Sequence, residues 1–65
     1  MDKPRTTMEC RRVHSLMNSI DKRLDKVSIE DQDNIKIKYG EWVDETLKGS
    51  YFIAYLTRII DITND

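Results

Sequence analysis

The feature that most restricts the fold is a row of apolar side chains in the first half of the chain. They recur in alternating steps of three and four residues, at Cys10, Val13, Met17, Ile20, Leu24 and Val27, with Leu16 widening the row. This spacing places them along one side of a helix, as in the seam of a coiled coil. Thr6 and Glu9 match a capping box at its start. The pattern therefore predicts a first helix over residues 7–26.

A second helix is indicated from Ser28 onward. Ser28 is a candidate N-cap, and acidic residues follow it where a helix dipole favours negative charge. Helical spacing then links Ile35, Tyr39, Trp42, Val43 and Leu47. Residues 35–39 also alternate as a strand does, but a lone strand leaves its hydrogen-bonding edges without a partner. The predicted second helix covers residues 29–48.

Gly49 leaves two arrangements open. Either it stops the second helix in a left-handed conformation, with Ser50 capping a third helix over residues 51–62, or it lies inside one long helix at a cost of about 1 kcal/mol. The sequence accordingly predicts an all-α fold. The fold is a small three-helix bundle or a helical hairpin with a long second helix, broken or unbroken at Gly49.

The length of 65 residues sets the domain organisation. Two separate cores need a longer chain, so residues 1–65 are expected to form a single helical domain, with flexible ends at residues 1–5 and 63–65. A domain of this size buries only about 60% of the surface that its unfolded chain exposes. Self-association or a partner protein is therefore expected.

The cysteine content and the apolar segments bear on the compartment. A single cysteine, Cys10, forms no intramolecular disulfide, and no leader-like segment precedes the helices, so a reducing, cytoplasmic setting is expected. The most apolar stretch, residues 51–62, is interrupted by polar side chains and is shorter than the ~20 residues that span a bilayer. No membrane span is expected.

Catalytic and metal-binding patterns are weak. Cys10 and His14 lie four residues apart, so their side chains can meet on a helix, but a tetrahedral zinc site needs four ligands and the chain has no second Cys or His. The carboxylates Glu41, Asp44 and Glu45 are typical of a solvated face. Glycine-rich phosphate loops, nucleophile elbows and calcium loops are missing. We expect no catalytic residues, cofactor or metal, and no motif is specific enough to indicate a family.

The apolar arc of residues 51–62 is the strongest indication of a partner. Nine of these twelve residues are apolar and cover more than half of a helix circumference, so two sides must be covered. Ile53 and Ile60 are predicted to face a partner. The side chains predicted to turn inward are Phe52, Tyr55, Leu56 and Ile59. As amphipathic aromatic residues, Tyr55 and Trp42 are further candidates for partner contact, although the spacing around Trp42 suits a core anchor better.

Charge is unevenly distributed, although the net charge is only −1. Residues 1–27 carry seven basic and four acidic side chains, whereas residues 28–65 carry four basic and eight acidic ones, so the two halves are expected to pack on each other. A basic face opposite the apolar row consists of Arg11, Arg12, Lys22, Arg23 and Lys26. This face suits an anionic partner or nucleic acid, but the pI near 5.7 is far below the value above about 9 that is usual for nucleic-acid-binding domains.

The function that these patterns favour is binding without chemistry. The predicted protein is a non-enzymatic protein-binding module, an adaptor, co-chaperone, inhibitor or regulator, that acts through the apolar face of its C-terminal helix. Its partner is another protein, itself, or both. The alternative is a small DNA-binding transcriptional regulator that uses the basic face of the first helix. Salt dependence separates the two, because phosphate contacts weaken steeply with added salt and apolar contacts do not.

Overall fold

A computed structural model describes residues 7–64, and this part of the chain forms three α-helices. They are α1 (Thr7–Asp21), α2 (Ile29–Val43) and α3 (Gly49–Thr63), with one 3₁₀ turn at Leu24–Lys26. Residues 7–64 contain no strand. The prediction of a small all-α three-helix bundle is confirmed, and the alternative of one long second helix is wrong. The Thr6 cap and the flexible segment 1–5 lie outside the described residues.

The first helix ends five residues earlier than predicted. After Asp21 the backbone tightens into 3₁₀ geometry, in which the Lys26 amide donates to the Arg23 carbonyl at 2.9 Å and the Val27 amide to the Leu24 carbonyl at 3.0 Å. The Gln32 side chain donates from Nε2 to the carbonyls of Leu24 (3.2 Å) and Val27 (3.0 Å). These contacts satisfy backbone carbonyls of the turn itself, so the chain can leave the helix here at little cost.

The second helix begins as predicted and ends early. Ser28 caps it, since its Oγ accepts from the Asp31 amide at 3.1 Å. The helix ends at Val43 rather than at residue 48, and Glu45 follows in the left-handed region with φ of 68°. This geometry is common just after a helix but is usually adopted by Gly or Asn. A non-glycine residue therefore makes the turn that was expected at Gly49.

Gly49 is instead the first residue of α3, and both predicted roles for it are wrong. Its φ is not positive, and the preceding residue, Lys48, is the N-cap without a side-chain capping bond. The helix ends at Thr63, whose hydroxyl donates to the Ile59 carbonyl at 2.8 Å. Thr63 is buried, Asp65 lies outside the described residues, and the flexible end at residues 63–65 stays a prediction.

The core lies between the three helices. Its buried apolar side chains are Val13, Ile20, Val27, Ile35, Trp42, Phe52, Leu56 and Ile59. Both α1 and α2 pack on α3, which contributes the fully buried Phe52 and Leu56. The rings of His14, Tyr39, Trp42 and Phe52 form an aromatic cluster, with centroids 5.7–6.4 Å apart. The third helix, which was predicted to need cover on two sides, is therefore covered by both of its neighbours.

Candidate protein-binding surfaces

Trp42 is a core residue. Only 3% of its surface is exposed, and its ring packs against Tyr39 and Phe52. Its indole Nε1 donates to Oε1 of Glu9 at 3.3 Å, so its polar group is satisfied inside the chain. The bond to Glu9 offsets the cost of burying the indole N–H, which agrees with a core anchor, and contact of Trp42 with a partner stays a prediction.

The Glu9 carboxylate lies at the first turn of α3. A Cβ added to Gly49 would overlap this carboxylate, so the glycine is what allows the approach. The N-terminus of a helix favours negative charge, and α3 has no acidic residue in its own first turn. Glu9 therefore joins all three helices, since it belongs to α1, accepts from Trp42 of α2 and lies against α3.

Replacing Gly49 by alanine is expected to displace Glu9 and to lower the free energy of unfolding by about 1 kcal/mol, the worth of one hydrogen bond and one helix-dipole contact. In a Glu9→Ala background the same replacement should be neutral or stabilising, because alanine is the better helix former. Urea denaturation of the wild-type protein, the two single variants and the double variant measures the coupling between Gly49 and Glu9. Equal effects of Gly49→Ala in both backgrounds would contradict the role assigned to Glu9.

The inward-facing and outward-facing side chains of α3 agree with the prediction only in part. Phe52, Leu56 and Ile59 point inward as predicted. Ile53 and Ile60, predicted to face outward, are half-buried and pack against the core, because α1 and α2 together cover a wider arc than expected. Whether they also touch a partner stays a prediction.

The exposed apolar side of α3 is the opposite edge. Tyr51 is 65% exposed and Ile62 is 64% exposed. With the half-buried Tyr55 and the exposed Arg58 they follow steps of four, three and four residues, within about 60° on the helix at 100° per residue. We call these four residues the outer stripe. It runs along most of the length of α3.

Tyr55 anchors the outer stripe to α2. The Lys38 Nζ lies 5.0 Å from the centre of its ring, within the range of a cation–π contact. Its hydroxyl oxygen is buried and has no hydrogen-bond partner among the described residues. Burial raises the pKa of this hydroxyl above the ordinary 10.0, the charge of Asp31 raises it further, and the Asn34 side chain acts in the opposite direction. The ring is thus held by Lys38, and its hydroxyl lies near the Asn34 side chain without a hydrogen bond of ordinary geometry.

Replacing Tyr55 by phenylalanine is expected to leave stability unchanged or to raise it by up to about 1 kcal/mol, because a buried hydroxyl without a partner costs desolvation energy. The wild-type protein should also lose stability relative to this variant as the pH rises past 10.0, since the unfolded state ionises before the folded state does. Thermal melts at neutral and alkaline pH measure both effects. A destabilised variant would show that the hydroxyl has a partner.

The predicted basic face does not lie on one helix. Arg11 and Arg12 are exposed on α1, whereas Lys22, Arg23 and Lys26 follow its last residue, Asp21. Arg23 is half-buried, and its Nε donates to the Ser19 carbonyl at 3.2 Å. Because α1 ends early, a single continuous helix face that could enter a DNA groove is not formed in the described part of the chain. The five basic residues stay untested as a binding surface.

A groove opens between α1 and α2 near the 3₁₀ turn, with a volume of about 240 Å³. The wall from α1 and the turn consists of Met17, Ile20, Asp21 and Leu24, and the α2 wall consists of Gln32, Ile35 and Lys36. The lining is mostly apolar, with one acidic and one basic side chain on opposite walls. Leu24, which the helical spacing places in the core, is instead 40% exposed at this groove, because α1 ends before it.

Metal-binding chemistry finds no support in residues 7–64. No group of three or more His, Cys, Asp or Glu side chains there is arranged to hold a metal ion. Cys10 is half-buried, and His14 packs its ring against Tyr39 and Trp42, with centroids 6.4 Å apart in both cases. Both residues are thus accounted for by packing.

No protein-family model, curated protein or solved structure matches this chain. Within the described residues, none of the helices combines the length and the apolar character that crossing a bilayer requires. The functional conclusion therefore rests on the geometry of the surfaces described above.

Proposed function

We propose that this chain is a non-enzymatic protein-binding module, an adaptor, co-chaperone, inhibitor or regulator, that holds its partner on the outer stripe of α3. The observation that carries the proposal is the exposure of Tyr51 and Ile62, about two-thirds each, on a helix whose other large apolar side chains are buried or half-buried. Large apolar side chains grouped in this way on a small domain are typical of interaction sites.

The composition of the outer stripe suits a protein partner. Tyrosine and arginine are enriched at the residues that dominate binding energy, and Tyr51, Tyr55 and Arg58 supply three such side chains. The rigid placement of the Tyr55 ring under Lys38 lowers the entropy lost on binding.

The spacing of the outer stripe suits an elongated apolar partner surface. Residues at i, i+4, i+7 and i+11 are the anchors with which a helix lies along a groove or beside another helix. The proposed partner is therefore a protein that presents an apolar groove or an exposed amphipathic helix.

The test of this function is whether the purified full chain captures a partner protein from its native host. The variant with Tyr51→Asp and Ile62→Asp is expected to lose a partner that the wild-type chain retains from its native host, because the contact loses apolar area and gains buried charge. The matched control carries Met8→Asp and Ile29→Asp, which are 77% and 70% exposed outside the stripe and add the same charge. This control should still capture the partner.

The salt dependence of binding and an assay for DNA binding separate this function from the DNA-binding alternative. Binding through the outer stripe should persist at high salt. If the chain instead binds DNA, with an affinity that falls steeply with salt and with Arg11→Ala and Arg12→Ala, the DNA-binding alternative would replace this function. Loss of capture by the control variant would contradict the outer stripe as the site.

A further inference from the structure

The outward side of α2 is a second surface, separate from the outer stripe of α3. Four exposed residues share it, in steps of four, three and four along the chain and within about 60° on the helix at 100° per residue: Asp33, Ile37, Gly40 and Asp44. We call these four residues the outer face of α2. Ile37 is 59% exposed there, whereas the buried Ile35 and Trp42 lie on the opposite side of the helix.

Gly40 on this face is not required by the fold of residues 7–64. Its φ is not positive, and a Cβ added to it would meet no atom of the described residues within 4 Å. Alanine would therefore fit, and alanine is much the better residue in the interior of a helix. Glycine is preferred where another backbone or a ligand comes close to the chain. The molecule that approaches Gly40 therefore lies outside residues 7–64.

The charges at the C-terminal end of α2 also oppose the local structure. The end of a helix favours positive charge, but the last turn of α2 has no basic residue, and the exposed Glu41 and Asp44 lie there. Within residues 7–64 neither carboxylate has an ion-pair partner. Positive charge supplied by another molecule would offset this cost.

The balance of charge on this half of α2 restricts what can cover the outer face. Its exposed charged residues are four acids and one base: Glu30, Asp33, Glu41, Asp44 and Lys36. A second copy that used the same face would bring like charges together, which opposes a symmetric contact. A basic partner is attracted along the whole face, and Ile37 supplies an apolar contact between the charges.

We propose that the outer face of α2 binds a basic amphipathic helix of another protein, which lies along α2 and approaches it most closely at Gly40. Ile37 contacts the apolar side of this helix, and Asp33 and Asp44 pair with its lysine or arginine side chains. Sequence choices that oppose the local structure are expected at such functional sites. The proposal concerns a different helix from the outer stripe and does not depend on the function proposed above.

Titration of the isotope-labelled full chain with a synthetic helical peptide tests this binding by NMR. The probe has about 18 residues, enough to span α2, with lysine on one side and leucine and alanine on the other. A matched peptide carries glutamate in place of lysine. The lysine peptide should bind saturably and shift the Gly40 amide resonance, whereas the glutamate peptide should not bind.

Gly40→Leu tests the close approach. It should weaken binding of the lysine peptide about tenfold, because the added side chain holds the two helices apart. Its urea midpoint should be unchanged or higher than that of the wild-type chain, since leucine is the better helix former. A loss of binding with a retained urea midpoint therefore reports on the contact and not on folding.

Charge reversal tests the acidic part of the outer face. Asp33→Lys together with Asp44→Lys should weaken binding of the lysine peptide about tenfold, because two attractions become repulsions. The matched control is Asp25→Lys together with Asp61→Lys, which makes the same change of charge at exposed positions outside α2. This control should keep most of the affinity.

The outer stripe provides the control for independence. Tyr51→Asp together with Ile62→Asp should leave binding of the lysine peptide intact, whatever its effect on the partner of the outer stripe. The proposal would be overturned if the lysine peptide showed no saturable binding or if the glutamate peptide bound equally well. Full affinity in Gly40→Leu, or equal losses in the two lysine-substituted variants, would likewise overturn it.

Discussion

Replacing Phe52 by alanine is expected to lower the free energy of unfolding by about 3–5 kcal/mol, the usual cost of removing a buried aromatic ring. Phe52 is fully buried, and its ring lies 6.4 Å from that of Tyr39 and 5.8 Å from that of Trp42, between centroids. At roughly 0.05–0.15 kcal/mol per residue, a chain of 65 residues has a total stability of about 3–10 kcal/mol, so this loss removes a large fraction of it. The variant should therefore unfold at a much lower urea concentration than the wild-type protein.

Far-UV circular dichroism and Trp42 fluorescence during urea titration measure this loss. Phe52→Leu is the matched control, because it keeps an apolar side chain at the same position and should retain a cooperative transition. A Phe52→Ala protein that unfolds at nearly the wild-type urea concentration would contradict the central place of this ring in the core.

The double replacement of Ile53 and Ile60 by aspartate is expected to lower the free energy of unfolding by about 2–4 kcal/mol. Both side chains are half-buried and pack against the core. The matched double replacement of Tyr51 and Ile62 adds the same charge to the same helix at exposed positions. It should change stability by about 1 kcal/mol or less. Thermal melts of the two proteins side by side measure the difference.

The helical projection of α3 predicts the opposite result, because it places Ile53 and Ile60 on the outward face, where aspartate costs little. If the Ile53 and Ile60 variant melted like the wild-type chain while the Tyr51 and Ile62 variant unfolded, the inward and outward edges of α3 would be exchanged. The outer stripe would then be part of the core and could not bind a partner.

The apolar spacing of the first helix was sufficient to predict much of the core. Val13, Ile20 and Val27 lie seven residues apart and are all buried. Leu24 fits the same spacing but is exposed, because α1 ends at Asp21 and the turn rotates it outward. Gln32 reaches back from α2 to the carbonyls of Leu24 and Val27 in that turn. A side-chain contact to the backbone of this kind leaves no periodic signal.

The break between α2 and α3 was placed wrongly for a similar reason. Gly49 was the natural candidate for a left-handed residue, but Glu45 adopts that conformation. The glycine is required by the approach of the Glu9 carboxylate, which lies forty residues away in sequence. Propensities describe the chain locally, and this requirement arises only once α1 and α3 pack.

The exposed apolar edge of α3 differs from the edge that the sequence predicted, and a partner at either edge stays a prediction. More than half of the circumference of α3 is apolar, and the expectation that part of it stays uncovered agrees with the exposure of Tyr51 and Ile62. Which edge stays uncovered depends on where α1 and α2 pack, and the projection of a single helix does not contain that information.

Isoleucine-methyl NMR of the full chain, with and without the captured partner, tests the outer stripe most directly. The Ile62 methyl lies on the stripe, whereas the Ile20 and Ile35 methyls line the groove between α1 and α2. The account predicts that partner addition shifts or broadens the Ile62 resonance and leaves those of Ile20 and Ile35 in place. An unchanged Ile62 resonance in the presence of saturating partner would contradict it.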